Sequence, residues 1–228
     1  MKILVVSDHE SRKIWDFFEP GMLNQYDLIL SCGDLSPRYL TFLRTMSRAE
    51  VLYVCGNHDK YYETTPPEGC VPIDGKLYDF YGLRILGLGG SMRYIPGAPC
   101  MYSEKEMKKR VRRLRFQLWT HKGFDILLTH APAAGIHDEP DLPHQGFQCF
   151  VDLIDRYHPM YFFYGHIHRN YSGHFKRQDE RNGTIIVNAY ETYEIEIPDD
   201  LLPKWKNRMS DKQRIFYKIK QRLKDLGD

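Results

Sequence analysis

Five apolar runs in this 228-residue chain each stop on a residue type able to hold a metal ion. Ile3-Leu4-Val5-Val6-Ser7 runs into Asp8-His9-Glu10, and Leu28-Ile29-Leu30-Ser31-Cys32 into Gly33-Asp34. Val51-Leu52-Tyr53-Val54-Cys55 runs into Gly56-Asn57-His58-Asp59, Ile126-Leu127-Leu128-Thr129 into His130, and Met160-Tyr161-Phe162-Phe163-Tyr164 into Gly165-His166-Ile167-His168. The runs are too short and too β-branched or aromatic to favour helix, so they read as strands. A strand covered on both faces carries almost no polar residue until it leaves the sheet, and a carboxylate or imidazole at each carboxyl end therefore gathers along one edge.

The length suits one medium domain with room for a short appendage. A formal net charge of +2 against 27% charged residues argues against nucleic acid as the partner. No run approaches the roughly 20 apolar residues needed to span a bilayer, so no transmembrane segment or signal peptide is expected and the location is read as cytoplasmic. Cys32, Cys55, Cys70, Cys100 and Cys149 lack CxxC spacing and read as reduced thiols.

Between the first strands, Ile14, Phe17 and Phe18 predict a helix over Ser11 to Phe18, and Leu40, Leu43 and Met46 one over Pro37 to Met46. Strand, helix and strand in succession imply βαβ units and a parallel sheet. A Pro/Gly-rich loop over residues 60–76 precedes a hairpin, Leu77 to Phe80 and Leu83 to Leu88 around Tyr81-Gly82. A basic helix follows from Ser103 to about Thr120, opened by a Ser103/Glu106 capping box. A polar loop after His130 carries His137 and His144 and leads to a helix over Phe147 to Tyr157, whose N-terminus could hold a phosphate oxygen. Ile185 to Ala189 and Glu194 to Ile197 close a domain of residues 1–198 as strands. Residues 199–228 then form a basic amphipathic helical extension, with Trp205, Met209, Phe216, Ile219, Leu223 and Leu226 on its stripe. That stripe would pack on the domain or on a second copy, the latter giving a homo-oligomer, and the alternative for so basic a helix is an anionic membrane or nucleic-acid surface.

Two divalent ions about 3.5–4 Å apart can clamp a phosphoryl group and favour in-line attack. Asp34 is the natural bridge between them, Asn57 offers an amide oxygen, and His130, His166 and His168 offer imidazoles, the last two projecting the same way from an extended segment. Asp8 completes the first ion. His58 follows Asn57 directly and stands where it can protonate a leaving oxygen, with Asp59 to orient it.

Together these motifs resemble the calcineurin-like metallophosphoesterase superfamily, whose pattern is D-x-H, G-D, G-N-H-D/E, H and G-H-x-H, over roughly residues 1–197. The resemblance implies an α/β fold: a four-layer αββα sandwich of two mixed β-sheets flanked by helices, here with a C-terminal helical tail. It implies two divalent metal ions, with Asp8, Asp34 and His168 on the first, Asp34, Asn57, His130 and His166 on the second, and His58 catalytic. The implied activity is hydrolysis of a phosphomono- or phosphodiester by a metal-bound hydroxide. The chain departs from the pattern at Glu10, which stands where the family has an imidazole. Glu10 could ligate the first ion itself, or His9 could take a shifted role. Three carboxylates, Asp8, Glu10 and Asp34, favour Mn2+, with Fe, Mg2+ or Zn2+ as alternatives. Arg93 is the expected substrate-phosphate anchor, with Tyr94, His137 and His144 in the loops around the substrate, a small phosphate ester. The rival readings are a protein-binding scaffold of the same fold that has lost turnover, and a nuclease.

Overall fold

Alternation along the strands decides the architecture. In β1 (Lys2–Ser7), Ile3 and Val5 face one way and Leu4 and Val6 the other, and all four are buried. A strand buried on both faces needs a layer on each side, and the computed structural model, which describes residues 1–168, 175–198 and 207–225, supplies both. Ile3 and Val5 join Leu28, Leu30, Leu52, Ile85, Ile126, Leu128, Phe163 and Val187 in a core between two sheets. Leu4 and Val6 pack outward with Ile14, Tyr39, Leu40 and Leu43.

The first sheet has β1 between β13 (Glu191–Glu196) and β2 (Leu28–Ser31), followed by β3 (Glu50–Tyr53) and β4 (Val71–Pro72). β1 to β4 run parallel, and β13 is antiparallel. Its outer face is covered by α1 (Arg12–Trp15) and α2 (Pro37–Met46). The second sheet runs β11 (Gln178–Arg181), β12 (Thr184–Asn188), β10 (Tyr161–Tyr164), β9 (Ile126–Thr129), β6 (Leu83–Leu88) and β5 (Lys76–Phe80). Its four middle strands are parallel. Its outer face meets α3 (Glu104–Thr120) and α4 (Gln148–Tyr157), through Leu86, Leu88, Leu127, Phe162 and Ile186 against Met107, Leu114, Leu118, Phe150 and Ile154. A two-stranded ribbon, β7 (Ser91–Met92) with β8 (Met101–Tyr102), lies outside both sheets. This is the expected four-layer αββα sandwich.

The hairpin closes as expected, Phe80 opposite Leu83, with Tyr81 and Gly82 both at positive φ as a two-residue turn between twisted strands demands. Ser103 and Glu106 form the expected capping box. The first helix is corrected: a single turn forms, Phe17 is exposed, and Gly21 at φ 89° turns the chain away. With Ile14 as its one buried residue, that segment has too little apolar face to lengthen the helix. All five cysteines are free thiols.

In the C-terminal extension, residues 199–206, and with them Trp205, lie outside the described part, as do the side chains of Leu223 and Leu226. The rest forms α5 (Asp211–Asp225). Met209 is buried, Arg208 pairs with Asp125 at 2.7 Å, Gln213 donates to Asp79 at 3.0 Å, and the Lys220 ammonium donates to the Asp27 carbonyl at 2.7 Å. Asp27 and Asp125 precede β2 and β9, so this segment lies across the amino-terminal edge of both sheets, opposite the edge where His130 and His166 emerge. No helix among the described residues is long and apolar enough to cross a membrane.

A chain ending at Pro198 should retain the sandwich. It should melt about 2–8 °C lower, from the loss of one largely buried ion pair and the burial of Met209 at roughly 1–2 kcal/mol in all. Thermal denaturation followed by circular dichroism checks this.

Candidate metal centre

Parallel register brings the strand ends together. Asp8, Asp34 and Asn57 leave β1, β2 and β3 on the first sheet, while His130, His166 and His168 leave β9 and β10 on the second. The backbone is forced at three of these positions. Asp8, Asp34 and His166 sit in the left-handed region at φ 63°, 56° and 68°, a conformation that costs a non-glycine residue roughly 1–2 kcal/mol. What holds them is hydrogen bonding between the loops. Both Asp8 carboxylate oxygens accept the His166 N–H, at 2.9 and 3.0 Å. The His58 N–H donates to Asp34 Oδ1 at 2.8 Å. The motif glycines are required by contact: a Cβ on Gly56 would overlap the Asp34 carboxylate, and one on Gly165 would overlap Ser7 and Asp8.

Four donor atoms then converge. His130 Nε2 lies 2.9 Å from Asn57 Oδ1, 3.1 Å from His166 Nδ1 and 3.3 Å from Asp34 Oδ2. The opposite ring nitrogens face carbonyls: His130 Nδ1 is 2.9 Å from the Cys32 oxygen, and His166 Nε2 is 2.8 Å from the Pro143 oxygen. A carbonyl can only accept, so each of those nitrogens carries the hydrogen and the other nitrogen of each ring is turned inward, the arrangement metal-ligating histidines use. Asp34, His130 and His166 accordingly form a group able to hold a metal ion.

The clustered groups shift one another's titration. Complete burial pulls His130 down, but Asp34, with Asp8 and Asp59 behind it, outweighs it and lifts the imidazole to about 9. Burial would raise Asp34, yet His130 and His58 hold it near 2. Burial, then the neighbouring His130, lowers His166 to about 3.

The family model of the calcineurin-like phosphoesterase superfamily domain matches residues 1–191. The chain belongs to this superfamily. Among solved structures, one crystal structure superposes with a TM-score of 0.59 at 13% identity, over 85% of this chain and 94% of its own. TT1561 of Thermus thermophilus superposes with a TM-score of 0.54 at 16% identity, over 83% of this chain and 89% of its own. At such identities the likeness speaks for the phosphoesterase fold alone. No curated protein sequence matches the chain.

The remaining expected site residues of this calcineurin-like chain divide sharply. His168 Nε2 stands 3.5 Å from Asp8 Oδ1, beside the Tyr190 ring at 5.1 Å. Glu10 accepts a hydrogen bond from the Ser36 hydroxyl at 2.5 Å, and Ser36 caps α2. His9 is exposed, with its ring 6.3 Å from Tyr190. The Tyr94 hydroxyl accepts from Asn57 Nδ2 at 3.3 Å, and the His144 ring lies 5.1 Å from that of His166. His58 is exposed.

Four expectations are corrected. Asp59 does not reach toward His58: its buried carboxylate accepts the N–H groups of Gly56 and Asp34 at 2.7 and 2.8 Å, fixing the loop, and burial followed by the nearness of Asp34 raises it to about 7. Arg93 is not open to a phosphate, because its guanidinium grips both Glu106 oxygens at 3.0 and 3.1 Å. His137 is committed to the Tyr164 hydroxyl at 2.7 Å and to Asp179 at 3.1 Å. The first amides of α4 are taken by Glu104, which accepts from Gln148 and Cys149 at 3.0 Å each, so that helix end has no room for an anion. What the sequence reading missed are the Cys32 and Pro143 carbonyls, which carry no residue signature, and Tyr190. The expected strand over Ile185 to Ala189 ends at the same edge, and that pointed to Tyr190.

Glu106 is held near 2, first by the Ser103 N–H, then by the Ser103 hydroxyl and Arg93. Its stabilising effect is full above the ordinary value of 4.5 and is lost as pH falls through about 2. Glu106→Gln should therefore melt below the parent at pH 7, with the gap closing between pH 4.5 and about 2; melts across that range check it.

Proposed function

We propose that this superfamily member hydrolyses a phosphomono- or phosphodiester at a centre of two divalent ions. The observation that supports this most is the convergence of Asp34, Asn57, His130 and His166 with both imidazoles turned inward by backbone carbonyls. A scaffold would have no use for it: replacing those groups by apolar residues would relieve buried polar and charged atoms at no loss of fold. The donor set fits a divalent cation. Asp34, Asn57, His130 and His166 would hold one ion, and Asp8, Asp34 and His168 the other, with Glu10 beside them. Mixed imidazole and carboxylate donors suit Mn2+, with Fe, Mg2+ or Zn2+ as alternatives. Such ions supply Lewis acidity toward phosphoryl oxygens and make a bound water more acidic.

The chain's own groups then act on the ester. The His58 backbone is fixed by its N–H to Asp34 while its ring remains in solvent, where it can pass a proton to the departing oxygen. Tyr94 accepts from Asn57 and keeps its own hydroxyl hydrogen for a phosphoryl oxygen. His144, beside His166, lines the substrate side. Asp59 holds the loop that carries both Asn57 and His58.

Purified protein should contain divalent metal and hydrolyse bis-p-nitrophenyl phosphate or p-nitrophenyl phosphate. A chelator should abolish turnover, Mn2+ should restore it, and Asp34→Asn should lose both metal and activity while remaining folded. A protein that takes up no metal and turns over neither ester would be the scaffold instead. His58→Ala should keep its metal and lose roughly 10²- to 10⁴-fold in kcat on alkyl esters. It should lose less on p-nitrophenyl esters, whose leaving group departs without a proton. Equal losses on both would assign His58 to charge stabilisation.

A further inference from the structure

α3 and α4 lie side by side over the second sheet, and between them runs an open groove of two adjoining cavities of about 940 and 400 Å3 that share Arg115, Leu118, Arg156 and Tyr157. Its floor is apolar, with Leu118 and Leu153 buried and Tyr157 beside them. Phe116 and Trp119, one turn apart on α3, stand 74% and 73% exposed at its edge. Large aromatics in the open beside an apolar floor are the residue types that anchor protein interfaces.

The rim is predominantly basic. Arg112, Arg115, Lys122 and Arg156 form no ion pair among the described residues, whereas Arg110, on another face of α3, is paired with Asp74, and Arg181 with Asp155. Lys108 is paired with Glu104, and Asp152, already accepting from Gln148, is the one acid lining the groove. Desolvated opposite charge is what such a rim lacks.

We propose that this groove docks an acidic amphipathic segment of a partner protein, lying as a helix with its apolar side chains on Leu118, Leu153 and Trp119 and its carboxylates on Arg112, Arg115 and Arg156. The shape favours this over a bilayer, because a concave trough receives a protruding ridge and a flat surface leaves its floor wet. The rings favour it over single-stranded nucleic acid: Phe116 and Trp119 are 6.1 Å apart and tilted by 40°, so they do not form successive stacking platforms, and phosphates would satisfy the rim while the apolar floor stayed empty. The groove is on the helical layer, away from the strand-end site, so the proposal is independent of the phosphoesterase reading.

A displayed library of random peptides of about 16 residues, four helical turns, is selected on the full-length protein and counter-selected on Arg115→Glu/Arg156→Glu. Enriched peptides are expected to carry apolar residues at helical spacing flanked by Asp and Glu. A labelled representative should bind with micromolar Kd that weakens with salt and weakens at least about tenfold in Arg115→Glu/Arg156→Glu and, separately, in Trp119→Ala. All three positions are on the surface, and unchanged melts show the variants folded. No enrichment over the charge-reversed protein, enriched peptides without acids, or undiminished binding to either variant overturns the proposal. So does tighter binding, lost in the same variants, of oligo-dT of about 16 nucleotides or of phosphatidylserine vesicles.

Discussion

The His130 ring is the hinge pin of the site. It leaves β9 in the second sheet, is fully buried, and donates from Nδ1 to the Cys32 carbonyl on the loop after β2 in the first. That one bond spans the two sheets and settles which ring nitrogen is presented to Asp34, Asn57 and His166. A buried bond of this kind contributes about 1 kcal/mol net, but losing it would leave a carbonyl and a ring nitrogen unsatisfied at a greater cost. The Asp8 carboxylate repeats the logic in reverse, reaching from the first sheet to the His166 N–H on the second. Each sheet thus fixes a donor of the other, and neither half of the constellation is formed by one sheet alone.

The strained residues follow from the same geometry. A chain leaving a parallel strand runs outward, whereas Asp8, Asp34 and His166 must turn at once to face a common point, and the left-handed conformation provides that turn. Glycines at 33 and 56 allow the loops to approach to backbone contact, and Gly165 leaves room for the Ser7 and Asp8 side chains. Stability given up in the backbone here is returned by hydrogen bonds that exist only when all the loops are assembled.

What the sequence discloses is governed by burial. Strands covered on both faces must be apolar, so β1, β2, β3, β9 and β10 are written in plain residue types, and so is the carboxylate or imidazole that ends each. β11 is a polar edge strand, Gln178–Arg181, whose backbone pairing leaves no mark on its side chains. Arg93 looks like a phosphate anchor until Glu106 is seen to occupy it, and the N-terminus of α4 looks vacant until Glu104 is seen to cap it. Both errors have one source: a charged group's partner comes from a distant part of the chain, and sequence shows the group without the partner. Glu10 is the reverse case, a departure obvious in sequence whose hydrogen bond to Ser36 at the cap of α2 only the structure supplies.

The C-terminal segment has a mechanical consequence. Its Lys220 binds the first sheet at Asp27 and its Arg208 and Gln213 bind the second at Asp125 and Asp79, while His130 and Asp8 tie the same two sheets at the far end. A sandwich riveted at both edges resists shear between its two sheets. Variation falls instead to the loops above the rivets, among them those bearing Tyr94 and His144, which can be exchanged while the load-carrying frame stays still.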